Sequence, residues 1–162
     1  MIDALLKKLK DGGFEFVDIK FTDIKGAWRH ITLPGERFTE KTFTDGIGLD
    51  GSSLGFLSVK AGDMILIPDP SYSFVDPFWE MPVLSVIGNI NEVNPTEPHP
   101  RDPRFTAAKA MKRLQKLLPG TDIIMGPEFE FYLFDEVRYD QTPSHGFYFL
   151  NSEEAEWSSG NA

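Results

Sequence analysis

Three prolines in six residues, Pro95, Pro98 and Pro100 in the stretch NEVNPTEPHP, constrain this chain more than any other feature. Proline has no amide hydrogen and pushes the residue before it out of the helical region, so the stretch suits neither a helix nor a central strand. It reads as an extended linker over 95–100 that separates residues 1–94 from residues 101–162. The second piece is short. One helix and two or three strands cannot enclose a core whose strands are apolar on both faces. Residues 101–162 are therefore expected to be the truncated beginning of a larger domain, continued in a longer protein or completed by another subunit.

The first piece reads as a small α+β sheet domain. Ile2, Leu5, Leu6 and Leu9 recur at helical spacing and Gly12-Gly13 stop the pattern, which predicts a helix over 2–11. Val17, Ile19 and Phe21 share one strand face, and Asp23-Ile24-Lys25-Gly26 turns the chain into a second strand with Ile31 and Leu33 inward, a hairpin over 14–33. Met64–Ile67 and Val83–Ile87 are two more strands, closed by Pro68-Asp69-Pro70 and Gly88-Asn89. Past the linker, Asp102 as cap and Pro103 at the first position open a helix with Phe105, Ala108, Met111, Leu114 and Leu118 inward. A strand over GPEFEF and its apolar flanks follows, then another at Phe147–Leu150, and the ending NSEEAEWSSGNA reads as loop.

Composition removes several classes of function. Acidic side chains outnumber basic ones 25 to 16, and a net charge of −9 provides no footprint for a nucleic acid backbone. No apolar run approaches the roughly 18 to 20 residues of a membrane span. The absence of cysteine excludes disulfides and thiolate metal sites, and MIDALLKKLKDGG lacks the apolar core of a secretion signal, so a cytoplasmic location is expected.

The sharpest local pattern is Glu128 and Glu130 in an otherwise apolar segment. On a strand, residues two apart point the same way at about 6.6 to 7 Å, so the two carboxylates share a face that continues into Tyr132 and Phe134. Like charges that are partly buried need a cation, an arginine or a proton. Spacing alone leaves two readings open: an exposed edge strand with solvated glutamates, or a site for Mg²⁺ or Mn²⁺ whose other ligands lie elsewhere. Gly46-Ile47-Gly48-Leu49-Asp50-Gly51 matches GxGxxG formally, but no apolar strand precedes it and SSLGF is a poor helix start. It reads as a glycine-rich loop around Asp50, Ser52 and Ser53, either a plain surface turn or a substrate loop. His30, His99 and His145 show no ligand spacing, and Arg101 and Arg104 read as surface charges at a helix start.

Taken in order, VDIKFTDIKG, DGSS, DMILIPDP with FVDPFW, PRDPR and GPEFEFYLFD resemble type I glutamine synthetase from about Phe14 onward. The resemblance implies an N-terminal β-grasp domain followed by the incomplete start of a catalytic domain, assembled as a dodecamer in the full-length protein. It implies an ATP-dependent ligase that phosphorylates glutamate and lets ammonia displace the phosphate from γ-glutamyl phosphate. Carried over, Glu128 binds the metal nearer the nucleotide phosphates and Glu130 the metal nearer glutamate, with Mg²⁺ or Mn²⁺ as the ions. Asp50, with Ser53 beside it, acts across a subunit interface on ammonium. Two departures from the family pattern stand out: Phe56 is the nearest match to the aromatic, often tryptophan, that follows DGSS, in a slightly shorter loop, and Ala61-Gly62 replaces an acidic-serine pair. Related γ-glutamyl-amine ligases, a non-catalytic β-grasp module and a carboxylate-pair glycosidase are the alternative readings.

Overall fold

The computed structural model of this chain describes residues 1–56, 62–93 and 96–158. Ala61, Pro95 and the last four residues of the ending lie outside them. The described chain divides into two compact units, Met1–Asp122 and Ile123–Ala162.

In the first unit, helix α1 (Ile2–Asp11) forms where the apolar spacing places it, with Leu5 and Leu9 buried. Strands β1 (Phe16–Thr22) and β2 (Trp28–Pro34) make the expected antiparallel hairpin. Its turn is fastened by Asp23, which accepts from the Lys25 and Ala27 amides and from Nε of Arg29 at 2.9–3.0 Å. Gly26 sits at φ 85°, a conformation that a side chain would strain. After a 3₁₀ turn at Gly35–Arg37 come the short helix α2 (Glu40–Thr44) and strand β3 (Ile47–Asp50). Strands β4 (Asp63–Val75) and β5 (Val83–Glu92) complete a mixed sheet in the order β2-β1-β5-β4-β3, in which only β1 and β5 run parallel. The class is α+β, as the sequence leads one to expect.

Three local readings are corrected. Gly88-Asn89 does not close β5, which runs on to Glu92 with Asn89 paired opposite Ile67 on β4. Pro68-Asp69-Pro70 does not end its strand: β4 runs on to Val75 with a register shift between Pro68 and Ser73. The two prolines cannot donate to the ladder, and a bulge absorbs them while Asp69 takes hydrogen bonds from Ser71 and from Nη2 of Arg104. The segment read as a glycine-rich loop is strand β3 up to Asp50, paired antiparallel with β4 from Ile47 opposite Leu66 to Asp50 opposite Asp63. The alternation of Ile47 and Leu49 with glycine and aspartate was the available strand signal.

One face of the sheet packs on α1 and α2 through Val17, Ile19, Phe21, Leu66, Leu84, Val86, Ile90, Phe38 and Phe43. The other face is built around charge. Asp18, 1% exposed, accepts from Oγ1 of Thr32 at 2.7 Å and meets Nδ1 of His30 at 2.5 Å. Lys20 bridges toward it and donates to Asp76 at 2.5 Å, which holds the Asp76 carboxyl below its ordinary value of 3.8.

Helix α3 (Pro103–Leu117) starts as expected, with the Asp102 side chain accepting from the Arg104 amide. Its apolar stripe, however, has no buried residue, and Leu118 at its end is 56% exposed. In the second unit, β6 (Glu136–Gln141) and β7 (Gly146–Asn151) form an antiparallel hairpin. Residues 121–134 belong to no helix or strand, so the strand expected to carry Glu128 and Glu130 is not formed here. A strand exists only by pairing, and the one sheet of this unit is the two-stranded ladder of β6 with β7.

Ile19 is fully buried on β1, an inner strand of the sheet, and belongs to the same apolar cluster as Leu66. Ile19→Ala should destabilise the first unit by about 3 kcal/mol, the usual cost of deleting a buried aliphatic side chain. Urea denaturation followed by tryptophan fluorescence measures it, and a loss under about 1 kcal/mol would contradict a close-packed site there.

Candidate functional site

Asp50 is the last residue of β3, so the β3–β4 pairing fixes where its backbone emerges. The chain then leaves the sheet edge in a compact turn. The Gly51 amide donates to the Gly62 carbonyl at 2.6 Å, the Gly55 amide to the Ser52 carbonyl at 3.2 Å, and the Phe56 amide back to the Gly51 carbonyl at 2.9 Å. Oδ1 of Asp50 accepts from the Ser52 amide at 2.9 Å, an aspartate bonding its own backbone two residues on. Hydrogen bonds from the Ser52 side chain and then its backbone hold the Asp50 carboxyl below its ordinary value of 3.8, and its exposure to water favours the anion as well.

Ser53 plays a different part. Its Oγ donates to the Asp50 carbonyl at 2.8 Å, which commits the hydroxyl to the turn while leaving its lone pairs open. Asp50 and Ser53 line one open cleft of about 520 Å³ together with Phe21, Trp28, Arg29 and Leu54. The structure thus brings the two DGSS residues together on one wall of a cleft whose opposite wall is the β1–β2 hairpin. Nothing in the spacing of the sequence announced the hairpin as the partner of this turn.

Glu128 and Glu130 lie in the second unit, in the unpaired segment 121–134, and both are exposed. Neither has an ion-pair partner among the described residues. No group of three or more His, Asp or Glu side chains that could hold a metal ion occurs among the described residues either. The donor chemistry suits a hard divalent cation, since carboxylate oxygens are its preferred ligands. Two carboxylates still leave most of about six coordination positions to other donors.

Two residues that the sequence reading set aside acquire partners. His99 is buried at 2% exposure, and desolvation lowers its pKa below the ordinary 6.5. Its Nδ1 accepts from the Arg101 amide at 3.2 Å. Arg101 in turn donates from Nη1 to the Phe56 carbonyl at 2.8 Å, and Asp102, raised above its ordinary value by burial, accepts from the Ile90 amide. A contact spanning 45 positions leaves no periodic trace in sequence, and only the dense PHPRDPR run hints that this segment is held.

Comparison with known proteins adds the following. The family described as glutamine synthetase, beta-Grasp domain, matches residues 13–93, and glutamine synthetase, catalytic domain, matches residues 100–161. A glutamine synthetase from a Nostoc species is 40% identical over 157 residues, covering 96% of this chain and 33% of its own length. The chain thus spans about a third of the length of the curated relatives it matches. Among solved structures, a Plasmodium falciparum glutamine synthetase superposes with a TM-score of 0.69 at 17% identity, over 93% of this chain and 29% of that one. GmaS, solved in complex with ADP, superposes with a TM-score of 0.64 at 24% identity, over 72% of this chain and 26% of its own. At those identities both superpositions speak to the fold.

Because the Ser52 hydroxyl leads the groups that lower the Asp50 pKa, Ser52→Ala should raise the Asp50 titration midpoint toward 3.8. The sign follows from linkage: a carboxyl depressed in the folded state stabilises it above the ordinary value, and that contribution fades as pH falls through the folded value. In Ser52→Ala that contribution should be smaller and its loss complete at a higher pH. Carboxyl-carbon NMR titration reads the midpoint directly, and one that stays put or falls would remove the hydroxyl from the account.

Proposed function

The chain belongs to the glutamine synthetase family, and from that membership we propose that it is the N-terminal part of an ATP-dependent ligase forming glutamine from glutamate and ammonia through γ-glutamyl phosphate. The observation that carries the reading is the order of the two family matches, a β-grasp region over 13–93 and the start of a catalytic region over 100–161. In this reading the chain has a β-grasp domain over 1–94, a linker over 95–100 and the beginning of a catalytic domain over 101–162. The pocket for nucleotide and glutamate would be furnished largely by catalytic-domain residues beyond those of this chain.

The chemistry gives each candidate residue a task. A carboxylate is a poor electrophile, and transfer of a phosphoryl group from ATP turns one γ-oxygen of glutamate into part of a leaving group. Ammonia must then attack as the free amine, with phosphate departing. Asp50, an anion fixed by its own turn, is suited to bind ammonium and accept its proton. Ser53 supports it by holding the Asp50 carbonyl. Glu128 and Glu130 would hold Mg²⁺ or Mn²⁺, which supply charge neutralisation for the phosphoryl groups. The resemblance supports a dodecamer for the longer protein, and a cysteine-free composition supports the cytoplasm. Among the described residues no helix is long and apolar enough to cross a membrane.

Glu130→Gln removes the charge at nearly constant volume. In the longer protein it should reduce Mn²⁺ affinity at least tenfold with the fold kept; calorimetric titration showing unchanged affinity would refute the metal role.

A second test addresses the shared site. Asp50→Ala and Glu130→Ala homo-oligomers should each be nearly inactive in glutamine formation. If Asp50 acts in the site of a neighbouring subunit, reassembling the two variants together creates some junctions with both groups intact, and activity should return in part. Heteromeric rings of verified composition that remain inactive would place Asp50 outside a shared site.

A further inference from the structure

The turn that carries Asp50 ends at Phe56, and that end is gripped from a distant part of the chain. Phe56 is 1% exposed, and its amide closes the turn on the Gly51 carbonyl. Its own carbonyl accepts from Nη1 of Arg101 at 2.8 Å. Its ring meets that of His99 edge-on, with centroids 5.5 Å apart and planes at 89°. Arg101 is itself seated. Its amide donates to Nδ1 of His99, while the His99 amide donates to the Ile90 carbonyl on β5 at 2.9 Å and the Asp102 amide to the His99 carbonyl at 3.0 Å.

A guanidinium donating to a neutral carbonyl is a charge-assisted hydrogen bond, stronger and more directional than an ordinary one. Here it joins two things of different origin. One is the exit of the Asp50 turn at the sheet edge. The other is the segment entering α3, which is locked to β5 through His99 and Asp102. We infer that Arg101, seated by His99, is a positioning residue for Asp50: it fixes the exit of the 50–56 turn and so keeps the Asp50 carboxylate in one orientation. Arg101 is exposed apart from this contact and contributes nothing to the apolar core, so its effect should be confined to the turn. The inference goes beyond the ligase reading and rests on it only for the purpose Asp50 serves.

The test uses the chain of residues 1–162 and needs no catalysis. Arg101→Met keeps the apolar stem and removes every donor, and Arg101→Lys keeps one cationic donor group. Amide exchange by NMR is read at Phe56, with Val17 and Ile19 of β1 as internal references, and the Asp50 carboxyl is titrated in the same samples. Arg101→Met should speed exchange at Phe56 at least tenfold, raise the Asp50 midpoint toward 3.8, and leave Val17 and Ile19 within about twofold. Arg101→Lys should recover part of both changes. An unchanged Phe56 rate and Asp50 midpoint would overturn the inference. So would acceleration at all sites together, unfolding included, since Arg101 would then be a general stabiliser. Because glutamine formation is not read, failure of the ligase reading would leave this result standing on its own.

Discussion

The parallel pairing of β1 with β5 is the contact on which the rest of the first unit depends. It joins Phe16 to Val83 and Lys20 to Ile87, strands separated by most of the domain's sequence. Closing so long a loop costs entropy before any contact compensates, and the compensation lies in the residues of the two strands: Val17, Ile19, Leu84, Val86 and Ile90 are all nearly or fully inaccessible. Each edge is then built outward. The β2 strand adds to β1 by a tight local hairpin, while β4 adds to β5 and β3 to β4. Asp50 stands at the end of the outermost of these, so its position is inherited through three successive strand pairings and the grip at Phe56.

That chain of dependence explains which features could be read in the sequence. Local devices were legible: the apolar spacing of α1, the Asp23–Gly26 turn, and the Asp102-Pro103 start of α3 are each encoded within a few residues. Devices that need a distant partner were not. The β3 strand is four residues long and half glycine and aspartate, and it becomes a strand only because Met64–Leu66 lies beside it. In the same way His99 looked like an ordinary polar residue until the structure placed it between β5 and Phe56.

The glutamate pair shows the reverse relation. Its chemistry was legible from alternation in an apolar segment, yet the strand that would give the alternation meaning is not formed within residues 123–158. Ile124 at 95% exposure, Phe129 at 84% and Leu133 at 77% mark a segment whose sequence expects burial on both sides. Pairing is a property of two segments, and a sequence pattern specifies only one of them. The resemblance supplied what periodicity could not, namely a reason for carboxylates to occupy such a segment.

Charge distinguishes Asp50 from the ion-paired aspartates of its unit. Asp18, Asp23, Asp69 and Asp76 each meet a basic side chain, His30 or Lys20, Arg29, Arg104 and Lys20 respectively, and three of these four are buried. Those pairs consume the charge they create. Exposed carboxylates without a partner are common on any acidic protein, but they ordinarily sit on side chains free to rotate. Asp50 differs from these four in that the donors holding it are neutral groups of its own turn, Ser52 foremost. Neutral donors fix a carboxylate without cancelling its charge. A fixed anion on the wall of an open cleft suits the task proposed for Asp50, binding a small cation.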